Sequence, residues 1–599
     1  APWASGLGPC AEGSAGTAEF APPPAARVVG AWACGAAVAL PPHAEGAGLG
    51  TSSAAADRKT FAVDVAVRLP PGLLQARDFL DNRYFLKRGL YLHALRRALV
   101  SNAKARRQLT RELGCAEPEG AVVFWPWRDP RKPCLELRCN PPGISRGVAL
   151  RLVLRPCIAA DNFPPAKLRP DRCNLRLAPA APWGALLNWR PKGGVRAPPP
   201  AVSGEPTPLY SHAILEDALL EAHSDFLAAS AAATGNGCLL GEAAALLKIW
   251  ARAQFVGAAA GGPGGFELTA LVADALRANP LLAVEAPLDV ARSVLQRLAG
   301  PAFAEGGRMQ EEEVGPCGGE LGGGDEGGGA SSGSGDPAER LQQLEAFRSQ
   351  FPGGFVLLDP WGRANVLARA RPAALQRLAD AAGRASWSLK SALSPAGELG
   401  GGGTALHAVF DALFHHRLSF GSAFDFTFQV LLPGPKAPPP AGAAGAARAG
   451  PAWAEDHCRA ELEEARVEEI VRLALGERAA FVCALPRGAA GPRATAEPVR
   501  VGVLADPEHL AAPTDIGPDG TERESCRLFR RFWGDLSQLR RFRDGRIAEA
   551  VAWGDVPGAP KLPAERALGC LVPLAATAAL ERHFRGASIT HLAAPLWNV

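Results

Sequence analysis

Three stretches that cannot pack set the limits on what this chain folds into. PPHAEGAGLGTSSAAADR (41–58), EGGRMQEEEVGPCGGELGGGDEGGGASSGSGDP (305–337) and PGPKAPPPAGAAGAARAGPA (433–452) consist largely of Gly, Ala, Pro and polar residues. Such segments bury too little apolar surface to offset the entropy of ordering them. The second is acidic and is expected to be a disordered loop; the third is a Pro/Ala/Gly loop or linker. With 67 glycines and 54 prolines in 599 residues, the packed portion is smaller than the length implies. That length still accommodates about three to five domains of roughly 100–200 residues.

Between these stretches the hydrophobic period changes in blocks. FAVDVAVRLP (61–70) alternates as a strand and ends at a proline. DFLDNRYFLKRGLYLHALRRAL (78–99) places Phe85, Leu92, Leu95 and Leu99 at helical spacing. VVFWPW, CLELRC and GVALRLVLRP (121–156) return to strand patterning. Residues 213–251, 264–278 and 285–299 are expected to be helical, FVLLDPWGRANVLA (355–368) strand-like, and 373–383 helical. FDFTFQVLL (424–432) and VRVGVLAD (499–506) then flank a helix around 460–476, and RLFRRFWGDLSQLRRFRDGRIAEAVAW (527–553) closes the last block. A mixed block, a helical block and a second mixed block imply α+β domains, not one doubly wound sheet.

The residue that asks for chemistry is Asp64, on the opposite face of its strand from Phe61, Val63, Val65 and Val67. A pair of carboxylates two residues apart on one strand, with a third on a neighbouring strand, holds the two Mg²⁺ ions of a nucleotidyl-transfer site. Here the partner position is Ala66, and GVALRLVLRP offers Arg151 and Arg155 with no acid. Asp64 is therefore expected to pair with a nearby arginine or to cap a turn, as a vestigial and non-catalytic position with no metal. Upstream, VVGAWACGA (28–36) could form the phosphate-gripping turn of such enzymes: Gly30 supplies a backbone amide, but Ala31 lacks a hydroxyl. A plain strand-to-helix turn explains the same residues.

Basic residues gather twice. Residues 83–111 carry Arg83, Lys87, Arg88, Arg96, Arg97, Lys104, Arg106, Arg107 and Arg111, with Tyr84, Phe85 and Tyr91 among them. Residues 523–546 carry eight arginines against Glu524, Asp535 and Asp544, with Phe529, Phe532, Trp533 and Phe542 interleaved. Phosphate contact with base stacking is one use of that mixture; a solvated helix face with aromatics in the core is the other. A net charge of +4 confines any RNA surface to such local patches.

Other chemistries find no support. The 13 cysteines include no CxxC pair; Cys134 and Cys139 have no matching second pair, so no zinc site is expected and buried thiols are. No GxSxG, Walker or zincin motif occurs, and no cofactor is implied. No run of about 18 apolar residues suggests a membrane helix. The start, APWASGLGPC, shows no secretory signal and no initiator Met, so the chain is expected to be incomplete there.

Several of these stretches together resemble the nucleolar RNA-associated protein (Nrap) family. The family's first domain passes from a Gly-Ser turn to a VDVAV-x-x-P strand and a helix start of the type D-x-L-N-x-RYF-x-KR-x-x-YL. This chain has VVGAWACGA, FAVDVAVRLP and DFLDNRYFLKRGLYL. ALLKIWARAQ with GGFELTALVA is similar to the family's LLK-x-W and Gly-Gly-Phe helices, and FVLLDPWGRANVLA to the strand closing its second domain. FRRFWGDLSQLRRFRDGRIAEAVAW resembles its FR-x-FWG…ELRRF-x-DG-x-I-x-EAV-x-W signature, with Gln538 where Glu is usual and, upstream, Ala31 where Ser is usual.

The resemblance implies a tandem of nucleotidyltransferase-like domains alternating with helical domains akin to those of poly(A) polymerases and oligoadenylate synthetases. Expected boundaries are a flexible tail at 1–25, a first nucleotidyltransferase-like domain at 26–205, a helical domain at 206–390, a second nucleotidyltransferase-like domain at 391–556, and the start of a truncated fourth domain at 557–599. It also implies a non-enzymatic scaffold of the nucleolar small-subunit processome, binding pre-rRNA and other assembly factors during 18S rRNA maturation. Arg83, Lys87, Arg88, Arg540, Arg541 and Arg543 are the candidates for RNA or partner contact, and Asp64 and Asp544 are expected to hold structural positions. Alternatives are an active template-independent RNA nucleotidyltransferase and a scaffold that binds protein alone.

Overall fold

The alternation in 59–68 is realised as an interior strand of a mixed sheet. The computed structural model describes residues 21–37, 59–115, 122–124, 131–142, 148–175, 206–234, 236–301, 303, 307–308, 337–351, 355–393, 402–416, 418, 420–432, 452–485, 498–510, 512–555 and 571–591. The three low-complexity stretches lie almost entirely outside these. Strands β1 (Ala26–Val29), β2 (Lys59–Arg68), β3 (Val122–Phe124), β4 (Cys134–Cys139) and β5 (Val148–Cys157) form one sheet in the order β1-β2-β5-β4-β3. Only the β2–β5 pair is parallel; Asp64 lies opposite Val153, and Ala66 opposite Arg155.

Between β2 and β3 run helices α1 (Arg83–Ser101) and α2 (Ala103–Leu113). The helix expected from residue 78 starts at 83 because the preceding residues form turns. Asp78 accepts a hydrogen bond from the Gln75 amide through its side chain and one from the Tyr84 amide through its carbonyl. Asp81 and Asn82 then adopt left-handed backbone. The Asn102 side chain accepts from the amides of Lys104 and Ala105, capping α2. Gly114 ends it with φ of 61°, where a Cβ would lie 2.0 Å from the Asn140 carbonyl oxygen. Leu92 of α1 and the half-buried Leu109 and Leu113 of α2 cover Leu135 and Leu137 of β4 and Leu150, Leu152 and Leu154 of β5. The opposite face carries Asp64, Glu136, Arg151 and Arg155.

Helices α3 (Pro208–Ala218), α4 (Leu220–Ala232), α5 (Leu239–Ala253), α6 (Gly265–Ala278) and α7 (Pro287–Ala299) follow. The expected boundary at 205/206 does not coincide with a break in packing. Tyr210, Ile214 and Leu215 of α3 share a core with Leu69, Phe79, Tyr84, Phe85 and Phe163 of the sheet unit. A second core joins α4 to α7 with Leu375, Leu378 and Leu389 of a later helix and, beyond the expected boundary at 390/391, with Leu413 and Phe414. Where 355–368 was expected to be a strand, the chain makes two residues of strand and then a tight turn. Gly307–Arg308 (β6) pairs in parallel with Leu357–Leu358 (β7), and helix α8 (Pro337–Gln350) lies between them in sequence. The Asp359 carboxylate accepts from the Arg363 and Ala364 amides, and the Asn365 side-chain oxygen from those of Leu357 and Leu367. These local side-chain bonds compete successfully with strand pairing. Helix α9 (Pro372–Ala392) and helix α10 (Gly402–Phe410) complete this unit.

The last unit has two sheets on one core. Strands β8 (Phe426–Leu431), β9 (Ala479–Leu485) and β10 (Val499–Ala505) pack with helix α11 (Ala452–Leu475). Strand β11 (Thr514–Asp519), helix α12 (Arg523–Trp533) and the hairpin of β12 (Gln538–Arg541) and β13 (Ile547–Ala552) supply the second sheet, in the order β11-β13-β12. Residues 557–599 were expected to open a separate domain. Their described part instead belongs here: helix α13 (Leu571–His583) contributes Val572, Ala576 and Leu580 to this core, and β14 (Ser588–His591) pairs antiparallel with β8. Apolar surface on α13 is buried by joining the existing core.

Candidate functional site

The question posed by Asp64 is answered by β5. Arg155 Nε donates to Asp64 Oδ1 at 2.6 Å, both side chains being mostly buried. Burial pulls the Arg155 guanidinium toward neutrality, but the Asp64 charge outweighs it and the net shift is upward. Gly30, with φ of 71°, sits over the same carboxylate: a Cβ there would be 3.3 Å from Asp64 Oδ2. The turn 30–35 packs against α5, where Gly241 approaches the Gly35 carbonyl closely enough to require glycine, and buried Lys248 donates to the Ala36 carbonyl at 2.7 Å.

The position for a second carboxylate is closed. Ala66 is 1% exposed and packs with Val29, Cys157 and Leu220 of α4. Ion pairs Arg27–Asp225 and Arg68–Glu221 clamp α4 to the same side of the sheet. Sequence reasoning overlooked Glu136, the acid this face does carry, within CLELRC. It stands opposite Val153 on β4, so β5 separates it from Asp64, and it binds Arg138 at 3.1 Å and Arg151 at 3.6 Å. Among the described residues no three His, Cys, Asp or Glu side chains are grouped as metal ligands. These residues do not fit a two-metal site: the acids are apart and each is engaged by arginine.

The first basic group is drawn inward, against expectation. Arg88 is fully buried; its Nε donates to Asp217 Oδ2 at 2.7 Å, and its guanidinium also donates to the Pro133 carbonyl. Tyr84 donates to the same oxygen at 2.8 Å, Lys132 binds Asp217 at 2.9 Å and Glu216 at 2.6 Å, and Arg369 forks onto Glu216. This network joins α1, the approach to β4, α3 and the turn after β7. Burial would raise the Glu216 carboxyl, yet Arg369 and Lys132 hold it well below the usual range. Lys87 is likewise structural, bridging Asp78 at 2.8 Å and the Leu73 carbonyl at 3.0 Å. Of the three, only Arg83 stands exposed. The helix period carried the signal, because Arg88 falls on the face of Tyr84, Tyr91, Leu92 and Leu95. The exposed cations of this region lie further along: Arg97 on α1 and Lys104, Arg106, Arg107 and Arg111 on α2.

The second group faces outward. Arg541 and Arg543 are exposed at the β12–β13 hairpin, with Arg523, Arg527 and Arg531 exposed on α12. Arg540 is half-buried and donates to the Gln538 side chain at 2.8 Å. Arg530 is held by buried Glu549 at 2.7 Å. Asp544 shapes the hairpin tip, accepting from the Arg546 amide at 3.0 Å. The aromatics do not accompany the cations: Tyr84, Phe85, Tyr91, Phe529, Phe532 and Trp533 are all buried, and Phe542 alone of the interleaved set is half-exposed.

Fold and site together define a multidomain α+β protein whose first sheet carries an arginine-neutralised acid and whose last unit presents a basic hairpin. Nrap protein domain 1 matches residues 8–233 and Nrap protein domain 3 matches residues 423–563. The chain is 27% identical to human nucleolar protein 6 over 555 residues, 90% of this chain and 40% of that protein. It is 28% identical to the mouse protein of that name over 511 residues, and 25% to that of Xenopus laevis over 567. The chain belongs to the Nrap (nucleolar protein 6) family, and its place is the nucleolus. It spans about 40% of the length of the curated relatives it matches.

Proposed function

We propose that this chain is a non-catalytic scaffold of nucleolar ribosome biogenesis, built on nucleotidyltransferase-like and poly(A)-polymerase-like domains that no longer transfer nucleotides. It acts within the small-subunit processome, in pre-rRNA processing toward 18S rRNA, by binding pre-rRNA and assembly factors. The observation that carries the reading is the Asp64–Arg155 pair beneath Gly30. The guanidinium takes the carboxylate's strongest site, and Ala66 is walled in by Leu220. RNA contact falls to Arg541 and Arg543 of the hairpin and to the exposed basic residues of α2, because the buried Arg88 and the tied Lys87 have no reach to a phosphate. The family name and the relatives' nucleolar names support the setting.

The test has two arms. Incubation with an RNA primer, labelled nucleotide and Mg²⁺ is expected to give no incorporation; incorporation abolished by Asp64→Ala would overturn the non-catalytic reading in favour of an active nucleotidyltransferase. Binding to a pre-rRNA fragment is expected to weaken steeply with salt, as phosphate neutralisation releases counterions. Affinity that is unchanged between low and moderate salt removes RNA from the reading and leaves a scaffold for proteins.

A further inference from the structure

One tryptophan stands apart from both basic groups. Trp387 on α9 is 71% exposed, the most exposed tryptophan among the described residues, whereas Trp250, Trp533 and Trp553 are buried. It makes no ring contact among the described residues. The helix beneath it is firmly seated: Leu378, Ala382, Ala385 and Leu389 are buried in the helical core, so the indole is presented from a fixed backbone. Leaving so large an apolar side chain in water forgoes the burial energy that places most tryptophans inside.

Its neighbours along the helix give the surface a sign. Arg384 and Lys390 lie three residues before and after Trp387, on the same face. Both are exposed, and neither has an ion-pair partner among the described residues. The nearest acid on that side of the helix, Asp380, is two turns from Trp387 and one turn before Arg384, and it accepts from Gln376 at 3.2 Å. An exposed indole between two cations, with no carboxylate within one turn of the indole on this helix, matches a polyanion that also offers a flat π-face.

We infer that Trp387, Arg384 and Lys390 form a single-stranded RNA contact, in which a base stacks on the indole and the flanking phosphates meet the two cations. A duplex keeps its bases stacked on one another and cannot supply that face, so the site selects unpaired RNA. The inference rests on the RNA-binding reading above and adds to it a ligand class, unpaired RNA, at a surface separate from the hairpin.

The experiment compares the full chain with Trp387→Ala, Trp387→Phe and the double variant Arg384→Gln/Lys390→Gln. The probes are a single-stranded oligouridine and an RNA duplex of equal length. Trp387→Ala is expected to weaken oligouridine binding about tenfold, the loss of one stacked base, with duplex binding and the unfolding midpoint unchanged. Trp387→Phe restores most of the loss, because a smaller ring still stacks. The double variant lowers the slope of log affinity against log salt by about 1.4 on the single strand. If the native chain binds neither RNA, the RNA-binding reading falls and takes this inference with it. If the native chain binds oligouridine and Trp387→Ala binds it equally well, or loses duplex affinity to the same degree, this inference alone is overturned.

Discussion

Residues 83–111 and 523–546 present the same mixture of arginine and aromatic side chains, and the fold uses them in opposite ways. In the first, Arg88 and Lys87 turn inward to neutralise Asp217 and Asp78, both buried carboxylates. In the second, Arg541 and Arg543 remain in water, although Phe529, Phe532 and Trp533 are buried just as Tyr84, Phe85 and Tyr91 are in the first. The difference lies in what each helix covers. The inner face of α1 meets a junction between two units lined with carboxylates, whereas α12 meets an apolar core of Val551, Trp553 and Leu580. A basic run is therefore drawn inward residue by residue, wherever a buried acid lies beneath it: Asp217 takes Arg88, and Glu549 takes Arg530.

The sharpest way to break that contrast is at Arg88. Arg88→Ala is expected to destabilise the chain by about 3–5 kcal/mol, since it strips a buried charge pair of one member; a denaturation midpoint like that of the native chain would return Arg88 to the surface. Next is His583, whose ring lies 4.7 Å from that of Phe532 beneath the second basic group. Burial first, and then Arg466, lower its pKa from 6.5 to about 4. The unfolded chain therefore takes up a proton before the folded one, and stability is lost as pH falls from about 6.5 to about 4, by at most about 3 kcal/mol. His583→Gln is expected to flatten that window, measured by denaturant unfolding across the range.

A smaller effect is expected on the first sheet. Asp64→Ala leaves Arg155 without its carboxylate and costs about 1–3 kcal/mol, equally with and without Mg²⁺; stabilisation of the native chain by Mg²⁺ that Asp64→Ala removes would point to a bound metal. At the small end, the double variant Arg541→Ala/Arg543→Ala is expected to leave the unfolding midpoint unchanged, since exposed charges contribute little. It should still lower the salt slope of duplex RNA binding by about 1.8. A midpoint shift as large as that of Arg88→Ala would erase the contrast between the two regions.

How much of this was legible depended on how far apart the partners lie in sequence. The β2 strand, the alternation of β4 and the α+β blocks follow from periods of two and 3.6. The pairing of Asp64 with a nearby arginine was one of the two outcomes expected, because the charged residues of the 147–156 strand are Arg151 and Arg155, with no acid. Arg88 could have been placed inside from its spacing to Tyr84 and Leu92, but its partner Asp217 stands 129 positions away and no local pattern links them. The turn at 359–365 escaped a period-based reading because Asp359 and Asn365 act through single side-chain hydrogen bonds. Trp387 escaped for a related reason: its helix has the right period, and exposure is decided by what other elements leave uncovered.

The pairing of Ser588–His591 with Phe426–Leu431 has a practical consequence for anyone dissecting this chain. A fragment cut at 556, where a domain end was expected, would strip the outer strand from a hydrogen-bonded row of β8 and bare the side of α11 that α13 covers. Such an open edge recruits strands from other molecules, so that fragment is expected to aggregate where one extended through residue 591 stays dispersed.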